Sequence, residues 1–120
     1  MDSVPSSDIF RVTERESGES VIMEGELSQA NADEFAAYLR ALKVRGNGAV
    51  TLNLSGLDIH DGVALATAID ALRDLRARAG RLVLRGAPQM LCHNLYRVGM
   101  LGGSDSIELV DMRLDEPSGF

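Results

Sequence analysis

Tryptophan is absent from this 120-residue sequence, and aromatic residues make up only 4% of it. The chain therefore has few of the flat rings that stack on bases or line carbohydrate clefts. Cysteine occurs once, as Cys92, so an intramolecular disulfide is excluded and a reducing compartment fits the composition. Hydrophobic residues still reach 45%, which is enough for one domain with an aliphatic core and no disulfide or metal.

Positive charge is also scarce, since 12 Lys and Arg residues stand against 18 Asp and Glu residues, for a net charge of -6. This excess repels nucleic-acid phosphates and anionic lipid, so we expect no binding to nucleic acid and no direct membrane insertion. No segment approaches the roughly 20 apolar residues of a membrane-spanning helix, and the polar start of the chain does not resemble a signal peptide. We expect a cytoplasmic protein.

Apolar strands alternate with amphipathic helices along the chain, which predicts a single α/β domain over residues 8–112. We expect residues 1–7 to be a flexible N-terminus and residues 113–120 to be a tail. The first two strands are predicted to form a hairpin, and the strands on either side of the second helix to be parallel. The predicted strands are residues 9–12, 20–23, 49–54, 81–85 and 107–110, and the predicted helices are residues 30–43, 63–79 and 89–98.

Glycine and capping residues set the expected ends of these elements. Gly25 is predicted to end the second strand, because glycine interrupts strands and favours turns. Ser28 or Asn31 is the candidate N-cap of the first helix. Pro88 is predicted to open the third helix and Gly99 to end it.

Residues able to carry out catalysis or hold a metal are few. His60 and His93 belong to no metal-binding or catalytic motif, and no second ligand pair stands at a workable spacing. Cys92 and His93 are neighbours within a predicted helix, where their side chains point about 100° apart, which disfavours a thiolate–imidazole pair. We therefore expect a protein that is not an enzyme and binds no metal or cofactor.

Two surface features suggest contacts with other molecules. Arginines cluster on and just after the second helix; this face is either solvated or meets an acidic partner. The third-helix region has more apolar positions than one buried stripe needs, which indicates a contact surface and leaves a homodimer open. The arginines are Arg73, Arg76, Arg78, Arg81 and Arg85, and the apolar positions are Met90, Leu95, Tyr96, Met100 and Leu101.

The segment 52–65, LNLSGLDIHDGVAL, resembles the signature of STAS domains, in which a strand ending Asp-Leu-Ser-Gly leads into a loop Asp-Ser-Ser/Thr-Gly-Leu that opens a helix. The segments 25–27, 80–84 and 99–101 are similar to three further elements of that family, in the same order. The resemblance covers roughly residues 8–112. It implies a STAS-like single domain, with a small mixed β-sheet and about three main helices packed against it.

Among STAS domains, the chain resembles the anti-sigma-factor antagonists, in which a Ser or Thr after the loop Asp is phosphorylated and the added charge breaks the docking interface. Asp61 matches that Asp, but Gly62 and Val63 stand where the hydroxyl is expected. The resemblance therefore implies that the usual phosphorylation switch is missing. Ser55 and Thr67 are nearby, and we interpret them as a turn hydroxyl and a helix residue bonded to its own backbone.

The resemblance implies a regulatory module that binds a protein partner through residues 56–63 and the second helix. The predicted contact residues are Asp58, His60, Asp61, Gly62 and Val63, although Asp61 is equally interpreted as an ordinary N-cap. The implied partner is an anti-sigma kinase-like protein. The alternatives are a cytoplasmic STAS subunit of a phospholipid-transport ABC system, which docks on the ATPase, and a STAS scaffold protein.

Overall fold

The computed structural model describes residues 10–15, 20–44, 48–101 and 107–111. Strands and helices alternate along these residues after an initial pair of strands. The strands are β1 Phe10–Arg15, β2 Ser20–Leu27, β3 Ala49–Ile59, β4 Arg81–Arg85 and β5 Glu108–Val110. The helices are α1 Ala32–Ala41, α2 Gly62–Arg78 and α3 Gln89–Arg97. The predicted α/β class and three helices are therefore confirmed, while the predicted flexible ends, 1–7 and 113–120, lie outside the described residues.

The five strands form one sheet whose spatial order is the same as their order along the chain. β1 pairs antiparallel with β2, as expected for a hairpin, and β2 to β5 are all parallel. Each helix therefore connects a strand to its immediate neighbour, always stepping in the same direction across the sheet. Because such crossovers are almost always right-handed, this order places all three helices on one face.

Burial follows this one-sided arrangement. Alternate residues of the central strands are fully buried beneath the helices, and α1 packs against α2. Residues between them on the opposite face, such as Ile22, Thr51 and Val83, are only half-buried. Among the residues whose burial the structure describes, the core is almost entirely aliphatic, as the composition predicted, and Phe35 is its one buried ring. Its largest fully buried side chains include Met23, Leu39, Leu52, Leu54, Leu57, Leu72, Leu75, Leu82 and Leu84.

Three strands extend further than the sequence predicted, and β1 runs to Arg15 instead of ending at residue 12. β2 continues through Gly25 to Leu27, and β3 continues from Leu54 to Ile59, because these two extensions pair with each other from Glu24↔Gly56 to Leu27↔Ile59. Gly25 has φ 120°, which explains its glycine without ending the strand. The helices differ less, and α1 is shorter at both ends than the predicted 30–43.

α3 ends as its glycine predicted. Gly99 has φ 79°, its N–H donates to the carbonyl oxygen of Tyr96, and the N–H of Met100 donates to that of Leu95 at 2.9 Å. These two bonds form a Schellman motif, in which a residue in the left-handed conformation satisfies the last carbonyl groups of a helix. Pro88 occupies the N-cap position, as expected.

Most arginines on and just after α2 form hydrogen bonds or ion pairs with other residues of the chain. Arg78 is the best example, since its guanidinium donates to the carbonyl oxygens of Leu39 and Leu42 at 2.6 and 2.8 Å and to Asp74 at 3.1 Å. It thereby adds hydrogen bonds to carbonyl groups at the end of α1, where the Leu39 oxygen also accepts from the N–H of Leu42 at 3.3 Å. At the sheet edge, Arg81 binds Glu108 through two bonds of 2.6 and 2.8 Å. These contacts explain part of the arginine cluster without an external partner.

Candidate functional site

The predicted contact residues lie where β2 and β3 end and α2 begins. The N–H of His60 donates to the carbonyl oxygen of Leu27 at 2.8 Å, which prolongs the pairing of the two strands by one residue. Only His60 and Asp61 separate β3 from Gly62, the first residue of α2. Half of the segment 56–63 that resembles the family loop is therefore strand, and its last two residues already belong to α2. The strand was predicted to end at Leu54, with Ser55 as a turn hydroxyl, whereas here Ser55 and Gly56 form an irregularity inside β3.

That irregularity has a clear local cause. The Asn53 side chain accepts hydrogen bonds from the N–H of Ser55 at 3.0 Å and from its hydroxyl at 2.7 Å. The register between β2 and β3 shifts at this point, from Ile22↔Asn53 to Glu24↔Gly56. The extra residue on β3 is a β-bulge, and it reverses which side chains face the core. The next buried side chain after Leu54 is therefore Leu57, whereas regular alternation would have placed residue 56 in the core.

The turn between β2 and α1 lies on the other side of this region, next to the start of α2. Asn31 is the one buried polar residue found among the described parts of the chain. Its side-chain oxygen accepts from the N–H of Ser28, and its amide nitrogen donates to the carbonyl oxygen of Glu26, both at 2.9 Å. Asn31 does occupy the N-cap position of α1, one of the two predicted, but its side chain holds the preceding turn and does not cap the helix.

Asp61 connects the start of α2 to the turn between β2 and α1. One carboxylate oxygen accepts from the N–H of Ala64 at 2.8 Å, which makes Asp61 the N-cap of α2. The other oxygen accepts from the N–H of Gln29 at 2.9 Å, across 32 positions of sequence. These bonds, first that from Ala64 and then that from Gln29, hold the pKa of Asp61 below its ordinary value because they stabilise the ionised form. The N-cap interpretation is thus confirmed, and the bond to Gln29 is an addition that no sequence pattern indicated.

Gly62 and Val63 directly follow Asp61 and occupy the first turn of α2. A Cβ atom at Gly62 would meet nothing within 4 Å. The Val63 side chain is 53% exposed, although valine is apolar. The first turn of α2 contains no acidic residue, and the N–H groups at a helix start form its positive end. The surface is therefore open and partly apolar.

We expect Gly62→Ala to stabilise the fold by about 0.5–1 kcal/mol, because alanine restricts the unfolded chain and fits the helical backbone. The added methyl group causes no steric overlap, because the space around Gly62 is open. Urea denaturation of both proteins measures the difference. A loss of stability would mean that the backbone at Gly62 is not helical.

Asp58 and His60 flank the same surface. Asp58 is exposed on β3 opposite Glu26 of β2. The His60 Nε2 atom lies 3.6 Å from a carboxylate oxygen of Glu26, and both side chains are 50% exposed, so this contact is solvated. The surface formed by Asp58, His60, Asp61, Gly62 and Val63 is called the β3–α2 surface below.

Other residues weighed from the sequence lie apart from this surface or have structural contacts. Ser55 is exposed but bonded to Asn53, as a turn hydroxyl would be, and Thr67 is half-buried in α2. Cys92 is buried and His93 is exposed, in agreement with the prediction that their side chains point in different directions. Within the described ranges, no three His, Cys, Asp or Glu side chains come together as metal ligands. None of the described helices has the length and apolar character to cross a bilayer.

Comparison with known families agrees with this architecture. A protein-family model described as "Mlab, STAS domain" matches residues 11–111, which is most of the chain. The chain belongs to the STAS domain family. The β3–α2 surface of this STAS domain therefore occupies the segment that resembles the family signature. A comparison with curated protein sequences gives no significant match.

Two solved structures share the fold of this STAS domain. The anti-sigma-factor antagonist SpoIIAA in its unphosphorylated form has a TM-score of 0.53 and 19% identity, covering 92% of this chain and 94% of that chain. The Bacillus cell fate determinant SpoIIAA in the phosphorylated form has a TM-score of 0.54 and 20% identity, covering 75% and 83%. The STAS fold predicted from the sequence is confirmed by these similarities.

Proposed function

We propose that this STAS domain is a non-enzymatic regulatory module that docks a protein partner through the β3–α2 surface and the exposed face of α2. The observation that carries the proposal is the combination of exposed Val63 with open Gly62 on a rigid support. Asp61 fixes that support by bonding both α2 and the turn before α1. A preformed, partly apolar surface loses little conformational entropy on binding, which favours protein recognition.

The partner class is proposed from the family resemblance. SpoIIAA is described as an anti-sigma-factor antagonist, and an anti-sigma kinase-like protein is accordingly the partner that we propose first. The chain carries Gly62 and Val63 at the positions where a hydroxyl is expected, so we propose that docking here is not controlled by phosphorylation of that loop.

The experiment compares wild type with Gly62→Glu in an affinity pull-down from the native cell extract, with quantitative mass spectrometry of the bound proteins. A fixed negative charge in the interface should reduce partner recovery at least about tenfold, because an unpaired charge is costly to bury. The fold should be retained, since the space around Gly62 is open and an acidic residue suits the first turn of a helix.

Ala37→Glu is the matched control, because Ala37 is an exposed residue of α1 and the variant has the same net charge. Its partner should be recovered as with wild type. A partner lost only from Gly62→Glu supports the β3–α2 surface, and its identity decides between an anti-sigma kinase-like protein and the ATPase of an ABC system. Equal recovery with Gly62→Glu and wild type would reject the surface.

A further inference from the structure

The exposed face of α3 carries apolar side chains that the proposed function does not use. Four large hydrophobic side chains are exposed among the described residues, and three of them, Met90, Tyr96 and Val98, lie on α3 or at its end. Tyr96 is the most exposed of the four, at 73%. The sequence indicated a contact surface in this region, but one of its apolar positions, Leu95, is fully buried in the core.

Four exposed residues of α3 form one continuous patch. Residues seven positions apart lie almost in line along a helix, and residues three or four positions apart are neighbours on its surface. Met90 and Arg97 therefore lie in one line, and His93 lies beside both of them. Tyr96 is next to His93 on the same side. The exposed residues Met90, His93, Tyr96 and Arg97 are called the α3 patch below.

The positive charge of the α3 patch is not compensated within the described part of the chain. Among those residues, no carboxylate lies within ion-pair distance of the exposed Arg97 guanidinium. α3 contains no acidic residue, although the whole chain has a net charge of -6. Four other arginines each lie within 3.1 Å of a carboxylate oxygen, namely Arg40, Arg78, Arg81 and Arg85. A carboxylate on another molecule would complement Arg97.

The residue types of the α3 patch are typical of the centres of protein interfaces. Tyrosine, methionine and arginine are enriched there, whereas lysine, glutamate and aspartate are depleted. Tyrosine and arginine are also frequent among the residues whose truncation weakens binding most. A tyrosine ring offers a large contact area and loses little conformational entropy when it is ordered. The patch therefore suits a molecule that presents apolar side chains to Tyr96 and Met90 beside a carboxylate for Arg97.

The size of the α3 patch favours a short segment over a second copy of this chain. α3 contains nine residues and is therefore about 13 Å long, and a helix with its side chains is roughly 10 Å wide. The exposed face of such a helix is well below the roughly 800 Å² that each partner buries in a stable interface between folded proteins. A single short segment of a partner is small enough to be covered by this face.

We propose that the α3 patch binds a short acidic segment of a protein partner. Arg97 contacts a carboxylate of the segment, since arginine recognises carboxylates through paired hydrogen bonds. Met90 and Tyr96 contact its apolar side chains. This binding is independent of the proposed function, because the β3–α2 surface is formed by other elements of the fold.

The test is a titration of the ¹⁵N-labelled protein with an acetylated and amidated peptide, Asp-Leu-Glu-Glu-Leu-Leu-Glu-Asp, followed by NMR. We expect saturable shifts centred on the amides of residues 90–97. Tyr96→Ser and Arg97→Gln should each weaken binding at least about fivefold. A rise in salt from about 20 to about 200 mM should weaken binding to wild type more than binding to Arg97→Gln, because the variant lacks the charge that salt screens.

Lys43→Gln is the matched control, because Lys43 is an exposed cation outside α3 and the variant loses the same charge as Arg97→Gln. It should bind the peptide as wild type does. Gly62→Glu should also bind normally, which separates the α3 patch from the proposed docking function.

Three results of the titration would overturn the proposal. They are the absence of saturable shifts in wild type, equal binding of Lys-Leu-Lys-Lys-Leu-Leu-Lys-Lys, and a loss of binding in Lys43→Gln as large as in Arg97→Gln. Sedimentation velocity tests the other occupant of the patch. A dimer of wild type that Tyr96→Ser dissociates would also overturn the proposal, because a second copy of the chain would then cover the α3 patch.

Discussion

Replacing Gly86 by alanine is expected to destabilise the fold by about 3 kcal/mol, from left-handed backbone strain together with steric overlap. Gly86 has φ 68°, and a Cβ atom there would lie 2.6 Å from the Cβ and 2.9 Å from the Cα of Ser55. The second distance involves backbone, so a side-chain rotation cannot relieve it. Guanidinium or urea denaturation measures the loss as a lower midpoint with an unchanged slope.

Gly99→Ala is the control that separates the two causes. Gly99 has φ 79°, close to that of Gly86, but no atom lies within 4 Å of a Cβ placed there. It should therefore show only the conformational cost, on the order of 1 kcal/mol. In a Ser55→Gly background, Gly86→Ala should become less costly but not neutral, because the Cα of residue 55 remains. Equal losses for Gly86→Ala and Gly99→Ala would contradict the close approach of β4 to β3.

β4 ends beside the bulge of β3, before the β3–α2 surface begins. β3 pairs with β4 only as far as Asn53↔Arg85, and the next residue, Gly86, donates its N–H to the carbonyl oxygen of Val110 of β5. Among the described residues, the last part of β3 therefore pairs with β2 alone.

Periodicity in the sequence was sufficient to predict each of the three described helices and the parallel pairing of β3 with β4, because each buried side chain contributes to a repeating pattern. The parallel pairings of β2 with β3 and of β4 with β5 were not predicted. Periodicity failed at Gly25 and Gly56, where a local preference for turns was outweighed by pairing between β2 and β3. That pairing joins residues about 30 positions apart, as Glu26↔Asp58 shows, and no local pattern encodes it.

Some contacts of the candidate site could be predicted from the sequence and others could not. Asp61 was recognisable as a cap because it directly precedes an amphipathic helix. Gln29 takes part through its backbone N–H, which every residue except proline possesses, so its identity carries no signal. Asn31 gave a signal of a cap, yet its side chain stabilises the turn before the helix. Arg78 similarly appeared to be a surface charge, although two of its hydrogen bonds are to carbonyl groups at the end of α1.

Asp61→Ala is expected to lower the melting temperature by several degrees and to weaken partner binding as well. The variant loses the bonds from the N–H groups of both Ala64 and Gln29, so α2 loses its cap and the turn before α1 loses its attachment. Val63 would then sit on a frayed helix start. Thermal unfolding and the pull-down used for Gly62→Glu measure the two effects. Unchanged stability would mean that water replaces both bonds without cost.

Asp61→Asn tests how the contacts of Asp61 with the N–H groups of Ala64 and Gln29 depend on pH. Asparagine caps helices well but has one acceptor oxygen where aspartate has two, so it should lie between wild type and Asp61→Ala at neutral pH. The pKa of Asp61 is lowered in the folded state. Its ionised form therefore contributes stability that is fully present above the unfolded pKa of about 3.9 and is lost as the pH falls through the folded pKa. The stability advantage of wild type over Asp61→Asn should accordingly be constant near neutrality and shrink only in acid below that value. An advantage that disappears already between neutral pH and about 5 would assign the effect to another titrating group, since Asp61 is fully ionised there.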